Sequence, residues 1–356
     1  MKFSSKGGEL KFFAAANSYN GFISYFGKVF NPERFDKIFI LKGGPGTGKS
    51  SLMKRILRTG VAEGFYSEAI YCSSDVNSLD GVILSSEKRQ IAVLDGTAPH
   101  ATDPQIPGAV EEIINLGIGW DAKLLCEQRD RIVMLNKAKL KAYTKAYENL
   151  YISSVFHKKY EAEIESEFDF VAAERKVEEM ISNLQLRGEG IILPRLISSF
   201  SKDGFTRLET LEKNSEQIIK LGGNGYSEYI FINLLVKRLN QIGANYFYFP
   251  TPYNTNSNEA LYIPDCKLAV IVSDNANCDI NTENLCCTKS QNSEDLERYK
   301  RLKKSFIEYS CEELKCAARR HFELEDIYIE AMDFSVIEEL AESVEKRCKN
   351  ILSGAI

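Results

Sequence analysis

Apolar and polar residues alternate along this chain with two periods. Ile38, Phe39, Ile40 and Leu41 form an unbroken apolar run, the pattern of a strand buried on both faces. The turn Gly43-Gly44-Pro45-Gly46-Thr47-Gly48 follows, and then Leu52, Ile56 and Leu57 recur at helical spacing. Strand, loop and helix are therefore predicted over residues 37–57. Ala69–Cys72 and Ile91–Leu94 read as further strands, the first leading into the polar turn Ser73-Ser74-Asp75, the second ended by Asp95. Asp80-Gly81 reads as a turn. Leu10–Phe30, aromatic and apolar around Gly21, is expected beside the first strand, after a loose start. From Ala109 to Gln185 the pattern is helical and highly charged, with no proline after Pro107. The charged run over residues 137–180 is expected to be a solvated face, or else an arm that meets a protein partner or second protomer.

The pattern then starts again. Pro194–Leu208 resembles the Gly21 region, with Gly204 in the matching place. Gly43, Gly44 and Gly46 map onto Gly222, Gly223 and Gly225 at one constant offset, and Asp95 maps onto Asp274 at the same offset. His157 and Asp169-Phe170 map onto His321 and Asp333-Phe334 at a smaller offset, because the second copy lacks the His100–Pro107 loop. Two homologous units are expected: residues 1–190, and residues 191–356 with C-terminal helices. Each is expected to be an α/β unit, a mainly parallel sheet with helices on both faces plus a helical extension.

The loop carries the first candidate chemistry. Gly43-x4-Gly48-Lys49-Ser50 between a strand and a helix fits a phosphate-binding P-loop (the Walker A motif). Glycines let backbone N–H groups close around a phosphate, and the helix start adds further donors and its positive dipole end. Gly43, Gly44, Pro45, Gly46, Thr47 and Gly48 would shape the cradle. Lys49 would hold the β- and γ-phosphates, Ser50 would hold Mg²⁺ and Ser51 would bond the α-phosphate. Four apolar residues then Asp95, downstream of such a loop, match the Walker B pattern, in which the acid holds Mg²⁺ opposite Ser50. Gly96 stands where many ATPases carry a catalytic glutamate, so the water-activating base is unassigned. Asp75 is either a base or acceptor contact at the carboxyl end of a strand, or the polar residue of an Asx turn or helix cap. His100, with Thr97 and Asp103, is either a substrate contact or a loop residue. In the second copy Gly48, Lys49 and Ser50 become Ser227, Glu228 and Tyr229. A glutamate in place of the phosphate lysine repels a triphosphate, so this loop is expected to be a scaffold, or else the Asn-rich Pro252–Glu259 serves another ligand. His157 and His321 are expected to be packing histidines.

Composition narrows the field. With 356 residues, 44% hydrophobic and 27% charged, the chain has material for two soluble units. A net charge of -5 gives no basic footprint for nucleic acid. No stretch approaches about 18 uninterrupted apolar residues and the start has no long apolar segment, so neither a membrane span nor export is expected. Nine cysteines are scattered without a CxxC pair. Free thiols in a reducing cytoplasm are expected, with a zinc site around Cys278, Cys286 and Cys287 as the weaker reading. Asn136-Lys137-Ala138-Lys139 lacks the acid of a guanine motif, which favours ATP over GTP.

LKGGPGTGKSSLM, CSSDVNSLDGV, LDGTAPHATDPQIPGAVEEIINLG and the late YIEAMDF resemble a poorly characterised bacterial family of tandem P-loop NTPases, labelled ATPases or nucleotide kinases. The resemblance spans nearly the whole chain and implies a nucleotide-binding α/β fold in two halves. In the family the second half often keeps a P-loop of its own, and this chain departs from that at Ser227, Glu228 and Tyr229, which counts against a two-site mechanism. The expected function is MgATP binding and hydrolysis in the first unit. A nucleotide or small-molecule kinase using Asp75, and an ATP-binding scaffold with little turnover, are the alternatives. Arg131 and Arg195 are candidate arginine fingers only as arginines.

Overall fold

A computed structural model describes residues 2–3, 8–186, 188–273, 277–286 and 294–355. The first half holds β1 (Glu9–Phe13), the hairpin β2 (Ala15–Ser18) and β3 (Gly21–Ser24), α1 (Phe26–Val29) and β4 (Lys37–Lys42). Next come α2 (Lys49–Ala62), β5 (Tyr66–Tyr71), β6 (Leu79–Ser85), β7 (Gln90–Asp95) and β8 (Glu111–Asn115). A helical stretch follows: α3 (Ala122–Glu127), α4 (Arg129–Glu167) and α5 (Phe170–Ser182). The second half holds β9 (Ile192–Pro194), β10 (Ser198–Ser201), β11 (Gly204–Arg207), α6 (Thr210–Asn214), β12 (Gln217–Gly222) and α7 (Ser227–Gln241). It continues with β13 (Tyr246–Thr251), β14 (Asn254–Ile263), β15 (Leu268–Val272), β16 (Ile280–Asn281), α8 (Glu294–Glu330) and α9 (Phe334–Ser353).

Two six-stranded sheets result, ordered β1-β5-β6-β7-β4-β8 and β9-β13-β14-β15-β12-β16. They match strand for strand and in the sense of every pairing. In each, one strand, β6 or β14, runs antiparallel to its neighbours, and the rest are parallel. The fold is thus α/β with two mixed sheets of mostly parallel strands. Asp80 and Gly81 sit inside β6 rather than in a turn. Gly81 is there because a Cβ would stand 2.5 Å from the Phe30 ring.

The layering differs from the sequence expectation of helices on both faces of each sheet. One face of each sheet packs against the other sheet. Leu10, Phe12, Ile38, Ile40, Ile83 and Leu94 share a core with Phe247, Phe249, Tyr262 and Ile271. α2 and α9 lie on the outer face of the first sheet and α5 and α7 on that of the second, while the short α1 and α6 add Phe26, Val29 and Leu211 to the core between the sheets. An apolar run such as Ile38–Leu41 meets either arrangement, since both bury the two faces of a strand.

The helices are exchanged between halves. α4 and α8 lie antiparallel: Leu135 packs near Leu324 and Ile327, and Ser153 bonds the Lys303 carbonyl at 2.9 Å. α4 carries the chain from the first sheet to the second, where α5 packs Ala173, Val177 and Ile181 beside α7. α8 makes the return crossing, and α9 packs Ile337, Ala341, Val344, Cys348 and Leu352 against α2 and the first sheet. The joints are matched as well. The Asp121 N–H bonds the Ala331 carbonyl and the Asp333 N–H bonds that of Gly119, while the Asp169 N–H bonds that of Leu285. Asp169 and Asp333 each cap the following helix.

Candidate functional site

β4 and β7 are parallel neighbours, with Leu41 opposite Asp95. The Gly43–Gly48 loop and Asp95 therefore leave the sheet side by side at its carboxyl edge. Gly43 admits no side chain, because a Cβ would lie 2.6 Å from the Thr47 hydroxyl oxygen. Thr47 itself donates to the Gly44 carbonyl at 2.9 Å, closing the turn. Gly48, with φ of 88°, is in the left-handed region and precedes the first residue of α2.

Lys49 Nζ donates to the Gly43 and Gly44 carbonyls at 3.0 and 2.6 Å and lies 3.7 Å from Asp95 Oδ2. The ammonium is thus drawn in over the loop, beside the carboxylate. Asp95 Oδ1 accepts from the N–H and hydroxyl of Thr97 at 2.8 and 2.6 Å. The Ser50 hydroxyl accepts from the Leu79 N–H at 3.0 Å, which ties α2 to β6. Ser51 is exposed on α2. A hydroxyl and a carboxylate are hard oxygen donors that suit Mg²⁺, which keeps most of its shell for water and phosphate oxygens. Among the described residues no group of three or more His, Cys, Asp or Glu could hold a metal ion by itself, and Cys287 lies outside them.

Gly96 has a packing reason. A Cβ there would stand 2.3 Å from Ile40 Cγ2, so a glutamate cannot be accommodated at this position. Lys42 pins the loop beyond, donating to the Gly96 and Thr102 carbonyls at 2.9 and 2.7 Å. Asp103, 3.3 Å from Lys42, is otherwise exposed. His100 is buried, stacks on Phe26 with centroids 4.1 Å apart, and places Nε2 3.2 Å from Asp80 Oδ2. It anchors the loop and does not face solvent. Asp75 accepts from the Asn77 N–H at 3.3 Å, an Asx turn, and lies 3.6 Å from Lys202 of the second half. Arg195 is buried and bound to Glu68 at 2.8 Å, at the seam between the sheets. It is therefore not free to act as a finger. Arg131 is exposed on α4.

Sequence reasoning missed what covers the loop. Tyr328 of α8 lies 3.0 Å from where a Cβ on Gly44 would stand. The Glu325 carbonyl oxygen and Ile329 lie 2.7 and 2.9 Å from the same point on Gly46. His321 Nε2 is 3.5 Å from Glu325 Oε1. His321 foremost, with help from Lys49 and the Gly46 amide, holds the Glu325 carboxyl below its usual range. The signal was present as a repeat: His157-x3-Glu161 and His321-x3-Glu325 share one spacing. His157 is buried, with Nε2 3.2 Å from Glu161, and burial lowers its pKa.

The second loop is built differently. Gly223 stands in the place of Gly43, since a Cβ on it would lie 2.5 Å from the Ser227 hydroxyl, as one on Gly43 would meet Thr47. The constant offset between the copies therefore slips in the strands. It slips again at β15: the Gly96 and Ser273 N–H groups make the same bond, to Leu41 and Leu221. Val272, and not Asp274, thus occupies the ladder position of Asp95, and Asp274 lies outside the described residues. The Glu228 carboxylate folds back on its own loop and accepts from the Gly225 N–H at 3.2 and 3.0 Å. Burial raises its pKa, opposed by the amides of Glu228 and Gly225 and the Ser227 hydroxyl. The Tyr160 hydroxyl of α4 donates to the Asn224 carbonyl. Beside it is a cavity of about 280 Å³, lined by residues including Tyr160, Glu283 and Lys300.

No helix among the described residues is long and apolar enough to cross a membrane. Comparison with protein-family models, with curated proteins and with solved structures gives no match to this chain.

Proposed function

We propose that the first half is a P-loop NTPase unit that binds MgATP through Gly43–Ser51 and hydrolyses it, and that the second half is a catalytically silent copy. The observation that carries this reading is the pairing of Lys49, at the start of α2, with Asp95, at the end of β7, 3.7 Å apart beside a loop that excludes a Cβ at Gly43. A lysine held in that way is ready to move onto a phosphate, leaving the carboxylate to a cation. Ser50 and Asp95 would hold Mg²⁺, which would supply charge neutralisation to the phosphates. Lys49 would bind the phosphates, and the loop amides with the α2 terminus would orient them. The second loop is closed to a phosphate, because Glu228 already bonds the Gly225 amide.

Phosphate release from MgATP by the whole protein tests this. Steady release is expected, and Lys49→Ala is expected to abolish it and to weaken MgATP binding. Undiminished release by Lys49→Ala would overturn the site. Release only with an added nucleoside monophosphate would make the protein a kinase. Tight binding without release would make it an ATP-gated scaffold.

A further inference from the structure

Between α8 and the β10–β11 hairpin lies a cavity of about 530 Å³, within the range of small-molecule sites. Phe205 and Tyr253 line one side, their rings stacked with centroids 5.1 Å apart. Lys303, Ile307 and Cys311 line the other, each four residues after the last on one face of α8. The remaining charges around the cavity are paired. Asp203 has Lys202 at 3.1 Å, Glu308 has Lys304 at 4.0 Å, Glu312 has Lys315 at 2.7 Å, and Lys300 has Glu297 at 2.9 Å. Lys303 is left over: among the described residues no carboxylate lies within ion-pair distance of it. Its ammonium has the rings of Tyr253 and Tyr160 instead, 5.2 and 5.7 Å from their centroids. Glu161, which acts on it from further off, is already bound by Asn254 at 3.1 Å and has His157 Nε2 at 3.2 Å. Burial foremost, and Lys300 beside it, lower the Lys303 pKa to about 8.

The room beside Lys303 is a feature of the second copy and not of the repeat. At the offset that relates His157 to His321, Lys303 corresponds to Lys139, while Ile307 and Cys311 stand in place of Tyr143 and Tyr147. Those tyrosines reach across from α4: Tyr147 donates to Asn17 Oδ1 at 2.8 Å, and the Tyr143 hydroxyl lies 3.4 Å from that of Ser74. Ser74 corresponds in turn to Tyr253, counted from the pairs Ile70–Gly81 and Phe249–Ala260. The second copy thus keeps the lysine, gives up two rings on the helix and gains one opposite it. We propose that this cavity binds a small aromatic anion, a carboxylate or a phosphate ester whose charge pairs with Lys303 and whose ring lies against Phe205 and Tyr253. An anionic oxygen would give Lys303 the charge-assisted hydrogen bond it lacks, in surroundings where such a bond is stronger than in water. The stacked rings offer a flat apolar surface for an aromatic body. An uncharged ring would leave the ammonium unpaired, and a small inorganic anion would leave the rings unused. Both features are met by one ligand. The Lys303 carbonyl accepts from the Ser153 hydroxyl at 2.9 Å, so this turn of α8 is held in place before anything binds.

The test is calorimetric titration of the whole protein with 2-naphthoate, with phenyl phosphate and with the uncharged 2-naphthamide. At least one of the two anions is expected to bind, and which of them does names the carboxylate or the phosphate ester as the class. The amide is expected to bind at least about tenfold more weakly, the least that a hydrogen bond between charged groups contributes. Lys303→Gln is expected to lose affinity for the anion by a similar factor, and Phe205→Ala to weaken it as well. Hydrogen exchange over residues 300–312 is expected to slow when the anion is bound. No binding of either anion would overturn the proposal, and so would an amide that binds as tightly as the anions, a comparison that needs no variant to fold. Undiminished anion binding by Lys303→Gln would overturn it too. Anion binding that Lys49→Ala removes and Lys303→Gln keeps would place the anion on the first glycine loop, overturning this site and leaving the P-loop reading standing.

Discussion

At the scale of single residues, the two copies diverge most clearly at Asp80 and Glu259. Both hold the same place in the sheet, since Gly81 pairs with Leu94 as Ala260 pairs with Ile271. Asp80 has His100 at 3.2 Å, delivered by the loop after β7. The second half lacks that loop. Glu259 is left with the Ser198 hydroxyl as its hydrogen-bond partner. Burial then raises its pKa from the usual 4.5 to about 7, against the pull of Ser198. The unfolded chain releases this proton near 4.5 and the folded chain keeps it to about 7. Stability is therefore greatest below the lower value, falls as pH rises through the window, and is level above it. The full loss is about 3 kcal/mol at roughly 1.4 kcal/mol per pKa unit. Glu259→Gln, which stays neutral, is expected to be more stable than the parent at pH 8 by up to about that amount, with the advantage shrinking towards pH 5. Urea midpoints at the two pH values check it. An equal difference at both would mean that Glu259 does not titrate in this window.

At the scale of elements, what was legible was what is local. The strand, loop and helix over residues 37–57 carry their own signals: an apolar run, a glycine turn and a helical period. Asp95 was expected beside the loop, opposite Ser50, and the parallel pairing of β4 with β7 does bring it to the loop's edge of the sheet, while its pairing with Lys49 had no signal in the sequence. β6 was obscured by Asp80-Gly81, a pair that usually means a turn. Here the glycine serves packing against Phe30, and the acid serves His100. What covers each face was not legible, because an apolar strand does not specify whether a helix or another sheet lies on it. The destination of α9 was hidden for the same reason. Its apolar stripe fits any open face, and only the ends of α8 direct it to α2. That docking is specific: Arg347 bonds Glu112 of β8 at 2.8 Å, Arg55 of α2 bonds Glu338 and Glu345, and Val344 is fully buried between them. Arg347 first, with Lys37, holds the Glu112 carboxyl down at about 2. Val344→Ala is expected to cost about 2 kcal/mol, two lost methyl groups plus the cavity they leave. A denaturation midpoint within error of the parent would show that α9 is not part of the cooperative core.

At the scale of the molecule, the division of the chain at residue 190 separates the sheets but not the folding units. The first sheet has its outer face closed by α9, from the far end of the chain, and its inner face closed by the second sheet. The second sheet borrows α5 in exchange. α2 and α7 cover part of their own sheets, but neither half of the sequence contains all the surfaces that bury its strands. A fragment of residues 1–187 would expose Leu52, Ile56 and Val93 where α9 belongs, together with Phe12, Ile38 and Ile40 on the inner face. Exposed apolar area on that scale drives association. Each fragment by itself is expected to aggregate or to elute as a large assembly in size-exclusion chromatography. The two fragments produced together are expected to form one stable complex of the parent's size, because the crossing helices and the sheet-to-sheet core need no covalent link at residue 187. A fragment 1–187 that elutes as a monomer and unfolds cooperatively would overturn this. It would mean that α2 and the first sheet are self-sufficient, and that α8 and α9 can detach without loss of the fold. The same result would bear on the nucleotide site, since such a fragment lacks α8, whose Tyr328 covers Gly44. If it bound MgATP more tightly than the whole chain, the second half would act on the loop as a restraint and not as a support.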